Sequence, residues 1–285
     1  MKRFDYLRPA SAEEACAALA AQAGEARVLA GGTDLLLELR RAEAKAPRAV
    51  VDISGLAGLD GIEERDGAVR LGPLVTHAAL ARSAVARRHA AFLADAAAAV
   101  GSPQIRNRGT VGGNIMNAAT CADTVPPLVA LGARLTLRSS RGERELDIAG
   151  FFEKPYRTRA RPDELLVSIA FDPLPPTARS AFVKLGRRNA LAISRLSVAA
   201  AVARDAAGVV TEARIVPGAA LPVWRRVGEA EAMLFGRKPS EALLAAVGRT
   251  VSDVMIGATG RRWSTEYKAP VLAVLVRRAL EACCR

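Results

Sequence analysis

With 285 residues, 51% of them hydrophobic, the chain can bury a sizeable core and divide into two domains. Charges break every apolar stretch, and the run ending at Ala96–Val100 is too short for a bilayer span. The net charge of +12 raises a nucleic-acid reading, but aromatics are only 4% and the arginines are scattered in pairs such as Arg40/Arg41, Arg187/Arg188 and Arg277/Arg278, the pattern of a solvated or partner-facing surface.

In chain order, Phe4–Leu7 reads as a short strand. Ser11-Ala12-Glu13-Glu14 is a capping box opening an Ala-rich helix to about Ala23. Those two glutamates also break the place where a signal peptide would need an apolar segment, so we read a soluble, cytoplasmic chain. A strand, Arg27–Ala30, runs into Gly31-Gly32, after which Thr33 or Asp34 caps a helix over Leu35–Arg41. Val50–Ile53 is a strand, and Ile62–Leu71 a hairpin around Asp66-Gly67. A helix starts at Thr76, and a longer one covers about His89–Val100. The stretch Gly101–Asn117 reads as a glycine-rich loop, followed by a helix from about Asp123 to Leu131. Strands at Arg134–Arg138 and Glu143–Asp147 turn at Arg141-Gly142, and Glu164–Phe171 closes the region. Pro173, Pro175 and Pro176 then mark a linker, because proline continues neither ladder nor helix. Beyond it, Ala181–Leu185, Ser197–Arg204 and Val209–Val216 read as an antiparallel meander turning at Asp205–Gly208, with Ala200–Ala207 open to a helical alternative. Helices follow over about Val227–Leu234, Ser240–Val254 and Thr265–Ala282. The expected class is α+β, with domains at 1–175 and 176–285.

The four cysteines form no CxxC or iron–sulfur spacing, and His77 and His89 form no ligand pair, so no metal site is expected on this chain. Chemistry is concentrated in two glycine pairs. Leu29-Ala30-Gly31-Gly32-Thr33-Asp34-Leu35-Leu36 is a strand ending in glycines at a helix start, where converging N–H groups suit a pyrophosphate. Thr110-Val111-Gly112-Gly113-Asn114 repeats the theme with a flanking hydroxyl and amide. Neither matches GxGxxG, and either could be only a tight turn.

Taken together, the two segments resemble the FAD-binding subunit of the xanthine dehydrogenase and carbon monoxide dehydrogenase family. Pro126-Pro127 behind Asp123, Pro162–Ile169, Phe182–Arg188 leading to Ala192-Ile193-Ser194, and Ser264–Lys268 extend the likeness collinearly. The sequence departs from the family at Ala119-Thr120-Cys121-Ala122, where Ser-Pro is frequent; Cys121 is an inert thiol or a neighbour of the cofactor.

The resemblance implies a two-subdomain flavin domain of the vanillyl-alcohol-oxidase (PCMH) type holding FAD non-covalently, then a small C-terminal domain with a three-stranded antiparallel sheet and helices. It implies that Leu29, Ala30, Gly31, Gly32, Thr33, Asp34, Leu35 and Leu36 wrap the pyrophosphate. Thr110, Val111, Gly112, Gly113 and Asn114 would contact flavin and diphosphate from the other side. Asp123 would accept from ribityl hydroxyls, and Val100, Leu166 and Lys184 would line the flavin, although Val100 and Leu166 also read as plain core and Lys184 as a surface residue. It further implies partners: a large molybdopterin subunit that oxidises the substrate, and a small subunit with two 2Fe-2S clusters, in a dimer of heterotrimers. Electrons would leave through FAD to an external acceptor, with no catalytic residue on this chain. A self-sufficient flavin oxidoreductase of the same fold, and an anion- or nucleic-acid-binding module, are the competing readings.

Overall fold

The computed structural model describes residues 3–41, 46–188 and 191–285. Two lobes form the first domain. The first is built from β1 (Asp5–Leu7), α1 (Ala12–Ala21), β2 (Ala26–Leu29), α2 (Leu35–Leu39) and β3 (Ala49–Asp52), with a parallel sheet in the order β1-β3-β2. Its middle strand is buried along its length, as expected where parallel strands are covered on both faces. Ser11 Oγ accepts from the Glu14 N–H (3.1 Å), while Glu14 accepts from the Ala10 N–H (2.8 Å), one residue further back than a capping box places it. Asp34 stands at the start of α2 but its side chain makes no capping bond, and the helix stops at Leu39, short of the expected Arg41.

The second lobe is a five-stranded sheet in the order β4-β5-β10-β6-β7, covered by short helices. It contains β4 (Ile62–Arg65), β5 (Ala68–Leu71), α3 (His77–Arg82), α4 (Ala84–His89), α5 (Ala91–Ala98), α6 (Pro103–Arg108), α7 (Val111–Asn117), α8 (Val125–Ala130), β6 (Arg134–Ser139), β7 (Gly142–Asp147), α9 (Ile148–Phe151), the small pair β8 (Phe152–Lys154) and β9 (Arg157–Thr158), and β10 (Leu165–Phe171). The β4–β5 hairpin turns on Asp66 and Gly67, both at positive φ (54° and 76°), which is what a two-residue primed turn requires.

Two details differ from expectation here. The helix expected over about His89–Val100 is the shorter α5, which Ala90 (φ −157°, ψ 59°) separates from α4 before it. The glycine-rich loop is largely helical: Ser102 caps α6 with Pro103 in its first turn, and Thr110 caps α7 by accepting from the Gly113 N–H (3.0 Å). Glycine inside a helix costs about 1 kcal/mol against alanine, and tertiary contacts override it here.

The C-terminal domain is the meander β11 (Ala178–Leu185), β12 (Leu196–Arg204) and β13 (Val210–Gly218) with α10 (Gly228–Leu234), α11 (Glu241–Thr259) and α12 (Thr265–Cys284). The helical alternative for Ala200–Ala207 is excluded by pairing of β12 on both sides. β12 is buried on both faces: Leu196, Val198, Ala200 and Val202 pack with α11 and α12, whereas Ala199, with Val216 of β13, joins the core of the five-stranded lobe. The alternation of period two therefore serves two cores, and small alanines let α5 and α8 of the first domain lie against this sheet. Among the described residues, α11 is the one helix long and apolar enough to cross a bilayer; here Leu244, Val247, Val251 and Met255 are in the core while Arg249 and Asp253 are exposed.

Candidate functional site

The two diglycine turns meet. A Cβ on Gly31 would lie 2.0 Å from the Arg108 carbonyl oxygen and 3.0 Å from the Gly109 Cα, so the first turn rests directly on the backbone leading into the second. The second turn is zipped to residues 73–77: Gly112 N–H donates to the Pro73 carbonyl (2.9 Å), Val111 N–H to the Val75 carbonyl (2.9 Å) and His77 N–H to the Gly109 carbonyl (3.0 Å), with an isolated bridge between Thr76 and Thr110. A Cβ on Gly112 would meet Pro73 at 2.5 Å. Gly31 and Gly112 are thus glycines because backbone meets backbone. Gly32 has another reason, its φ of +75°, a region that costs L-residues strain.

Their amides differ in a way that bears on ligand chemistry. In the second turn the Gly112, Gly113 and Asn114 N–H groups all have protein acceptors. In the first, the N–H groups of Gly31, Gly32, Thr33 and Asp34 donate to no acceptor among the described residues. Consecutive free N–H groups at a bend form an anion-binding nest. Burial raises the pKa of the Asp34 carboxyl beside them.

A cleft of about 310 Å³ opens on this seam, within the range of small-molecule sites. Of the residues singled out in the sequence, Ala30 to Leu35, Thr110, Gly112, Gly113, Asn114 and Leu166 line it. Leu29 and Leu36 instead flank Gly32 from behind, and Val111 is fully buried in the core. The far wall is Leu165 and Leu166 of β10 with Glu164. Burial raises the Glu164 carboxyl pKa, but the Arg144 guanidinium (Nε 2.6 Å, Nη2 2.8 Å) and the Arg161 N–H (2.6 Å) hold it below the usual range.

Val100, Asp123 and Lys184 are not brought into that cleft. They group at a neighbouring recess of about 570 Å³ bordered by Ala99, Gly101, Arg106 and Lys184, where Arg106 Nη1 donates to the Val100 carbonyl (2.9 Å). Lys184 donates to Asp123 Oδ2 (2.6 Å) and to the Ala99 carbonyl (2.8 Å), and the Ser194 hydroxyl donates to Asp123 Oδ1 (2.5 Å). Asp123, 5% exposed, therefore already has a partner on each oxygen. Burial raises its pKa, with Lys184 and Ser194 opposing the shift. Thr124, next to Asp123 in the chain, donates its hydroxyl to Oδ1 of the cleft-lining Asn114 (2.7 Å). Burial, with the Asp123 carboxylate next to it, raises the pKa of the Cys121 thiol.

Sequence reasoning missed His77, Glu164, Thr124, Ser194 and Arg106. Each reaches the site through a contact between distant segments, which no local pattern signals.

A glycine seam between two sheet-and-helix lobes, with a row of unpaired amides beside it and a separate sheet-and-helix C-terminal domain, is the arrangement of a subunit suited to an anionic ligand such as a dinucleotide. Residues 2–174 match the family described as FAD binding domain in molybdopterin dehydrogenase, and residues 180–283 the CO dehydrogenase flavoprotein C-terminal domain. The chain is 39% identical to the xanthine dehydrogenase FAD-binding subunit of Escherichia coli O157:H7, over 73% of this chain and 71% of that one. It is 35% identical to the nicotinate dehydrogenase FAD-subunit of Eubacterium barkeri, over 83% and 81%. The reconstituted CO dehydrogenase from Oligotropha carboxidovorans superposes with a TM-score of 0.93 at 27% identity, covering 99% of this chain and 98% of that chain. The chain belongs to the FAD-binding subunits of the xanthine dehydrogenase and carbon monoxide dehydrogenase family of molybdenum hydroxylases, and is an oxidoreductase component whose cofactor is FAD.

Proposed function

We propose that this chain is the flavin relay of a cytoplasmic molybdenum hydroxylase assembly, taking electrons from 2Fe-2S clusters on a small partner subunit and delivering them to an external acceptor, while a large molybdopterin subunit oxidises the substrate. The observation that carries the reading is the row of unpaired amides at Gly31–Asp34, residues that line a cleft the second diglycine turn also lines. That row fits a diphosphate, and the apolar wall of Leu19, Ile53, Leu165 and Leu166 keeps water from one side of the bound nucleotide. Lys184 at the neighbouring recess would supply positive charge beside a reduced flavin, with Asp123, itself held by Ser194, fixing the lysine. Bound FAD supplies the ability to accept electrons singly and release them in pairs. Relatives named for xanthine and nicotinate are similar in sequence and a CO dehydrogenase is similar in fold, which supports substrate selection on another polypeptide.

The test is to co-express the chain with its partner subunits and compare it with the chain alone. The isolated chain should retain one FAD per polypeptide and show flavin absorption, yet oxidise no substrate. The complex should contain molybdenum and iron and pass substrate electrons to an added acceptor. Unassisted substrate turnover by the isolated chain would favour a self-sufficient oxidoreductase instead.

A further inference from the structure

Thr124 stands immediately before α8, where a threonine ordinarily caps the helix by accepting from its second or third N–H. Those positions are Pro126 and Pro127, which have no N–H, and the side chain caps nothing in α8. The hydroxyl is nevertheless sealed in the core. Thr124 is 0% exposed, and its side-chain hydrogen bond among the described residues runs to Asn114 Oδ1 (2.7 Å). A buried hydroxyl needs an acceptor for its proton, and here the amide oxygen is that acceptor. The bond also fixes which way the amide points, because holding the oxygen against Thr124 turns the NH2 group away from it. Asn114 lines the same cleft as the unpaired amides of Gly31–Asp34 and is half-buried. Its Nδ2 has no acceptor among the described residues and is open to solvent.

We infer that Thr124 is a positioning residue for the bound dinucleotide: by holding Asn114 Oδ1 it presents Nδ2 to the cleft as a donor to a diphosphate oxygen. This rests on the flavin reading above and adds to it a residue that itself touches no ligand. The unpaired amides of the first turn suit an anion, and a phosphate oxygen only accepts, so a donor has to face it. With the amide reversed, Oδ1 would confront the anion and the threonine proton would meet a second donor. Both demands select the same orientation of Asn114.

The experiment uses the full chain stripped of flavin, titrated with FAD and with ADP, which carries the diphosphate but no isoalloxazine. Thr124→Val keeps the shape of the side chain and loses the hydroxyl, so both ligands should weaken by the same factor, about fivefold for one hydrogen bond. Thr124→Ser restores the hydroxyl and should stay within about twofold of the parent. Because the threonine acts through the amide, Thr124→Val added to Asn114→Leu should change neither affinity further, whereas a merely structural role would lower both again. With ¹⁵N-asparagine labelling of the chain unmodified at 124, the Asn114 side-chain NH2 signal, assigned by its absence from Asn114→Leu, should shift once ADP is added. That measurement does not depend on a variant at 124 folding. Parental affinity in Thr124→Val, loss of FAD with ADP retained, equal losses in the valine and serine variants, an additive double variant, or an Asn114 signal indifferent to saturating ADP would each overturn the assignment. Failure of the unmodified chain to take up either ligand would overturn the flavin reading itself, and the role of Thr124 with it.

Discussion

Replacing Lys184 by methionine isolates a buried charged contact between the two domains. The lysine side chain is 14% exposed and its partner carboxylate 6%, so the substitution keeps the apolar stem and strips a buried anion of its counter-ion. Removing one member of a buried pair costs about 3–5 kcal/mol, because the other is left uncompensated in a poor solvent for charge. Ser194 remains on Oδ1 and recovers only part of that. The pH dependence has a definite sign. Burial already raises the Asp123 pKa, and without Lys184 it rises further, so the folded variant binds a proton more readily than the unfolded chain does. The stability deficit is therefore largest at neutral pH and shrinks as pH falls toward the ordinary carboxylate range. Urea denaturation of parent, Lys184→Met, Asp123→Asn and the double variant at pH 7 and pH 5 measures it, and the double variant should be more stable than Lys184→Met alone at pH 7. A Lys184→Met chain within about 1 kcal/mol of the parent at pH 7, or a double variant no better than the single, would refute the reasoning.

Gly31→Ala should destabilise the chain by about 1–3 kcal/mol and lower its flavin content, since the new methyl would sit 2.0 Å from the Arg108 carbonyl and the seam would have to open; thermal melting and the flavin-to-protein absorbance ratio read both. Gly257→Ala is its control: this exposed position of α11 has nothing within 4 Å of the added carbon, and melting should show a gain of up to about 1 kcal/mol with flavin content unchanged. His77 titrates near 4 when folded against 6.5 when free, so the flavin-free chain should lose up to about 3 kcal/mol as pH falls from 6.5 to 4, a loss absent from His77→Leu when denaturation midpoints are followed across that window.

Much of this molecule follows from local rules that a sequence carries openly. Asp66-Gly67 makes a hairpin because its backbone accepts turn geometry, Ser11 starts a helix because its hydroxyl satisfies a free N–H, and the alternation through β11 to β13 marks a sheet. The β6–β7 hairpin turns one residue earlier than expected, at Ser140-Arg141 with Gly142 paired to Ser139. The diglycine segments were legible as candidates, and so was the family, since its motifs lie collinear along the chain. Tertiary packing decided the rest. Gly112 and Gly113 sit within a helix, against their propensity, because Pro73 and Val75 hold that turn in register. Only the assembled lobes reveal that the first turn's amides are open while the second's are closed. Asp123 meets Lys184 and Ser194 across 61 and 71 residues of sequence, and the His77 ring packs beside Gly109 with its Nδ1 unpartnered. Hydrophobic period and capping chemistry act within a few residues, whereas these contacts depend on which surfaces come together when several elements pack at once, and no single segment encodes that.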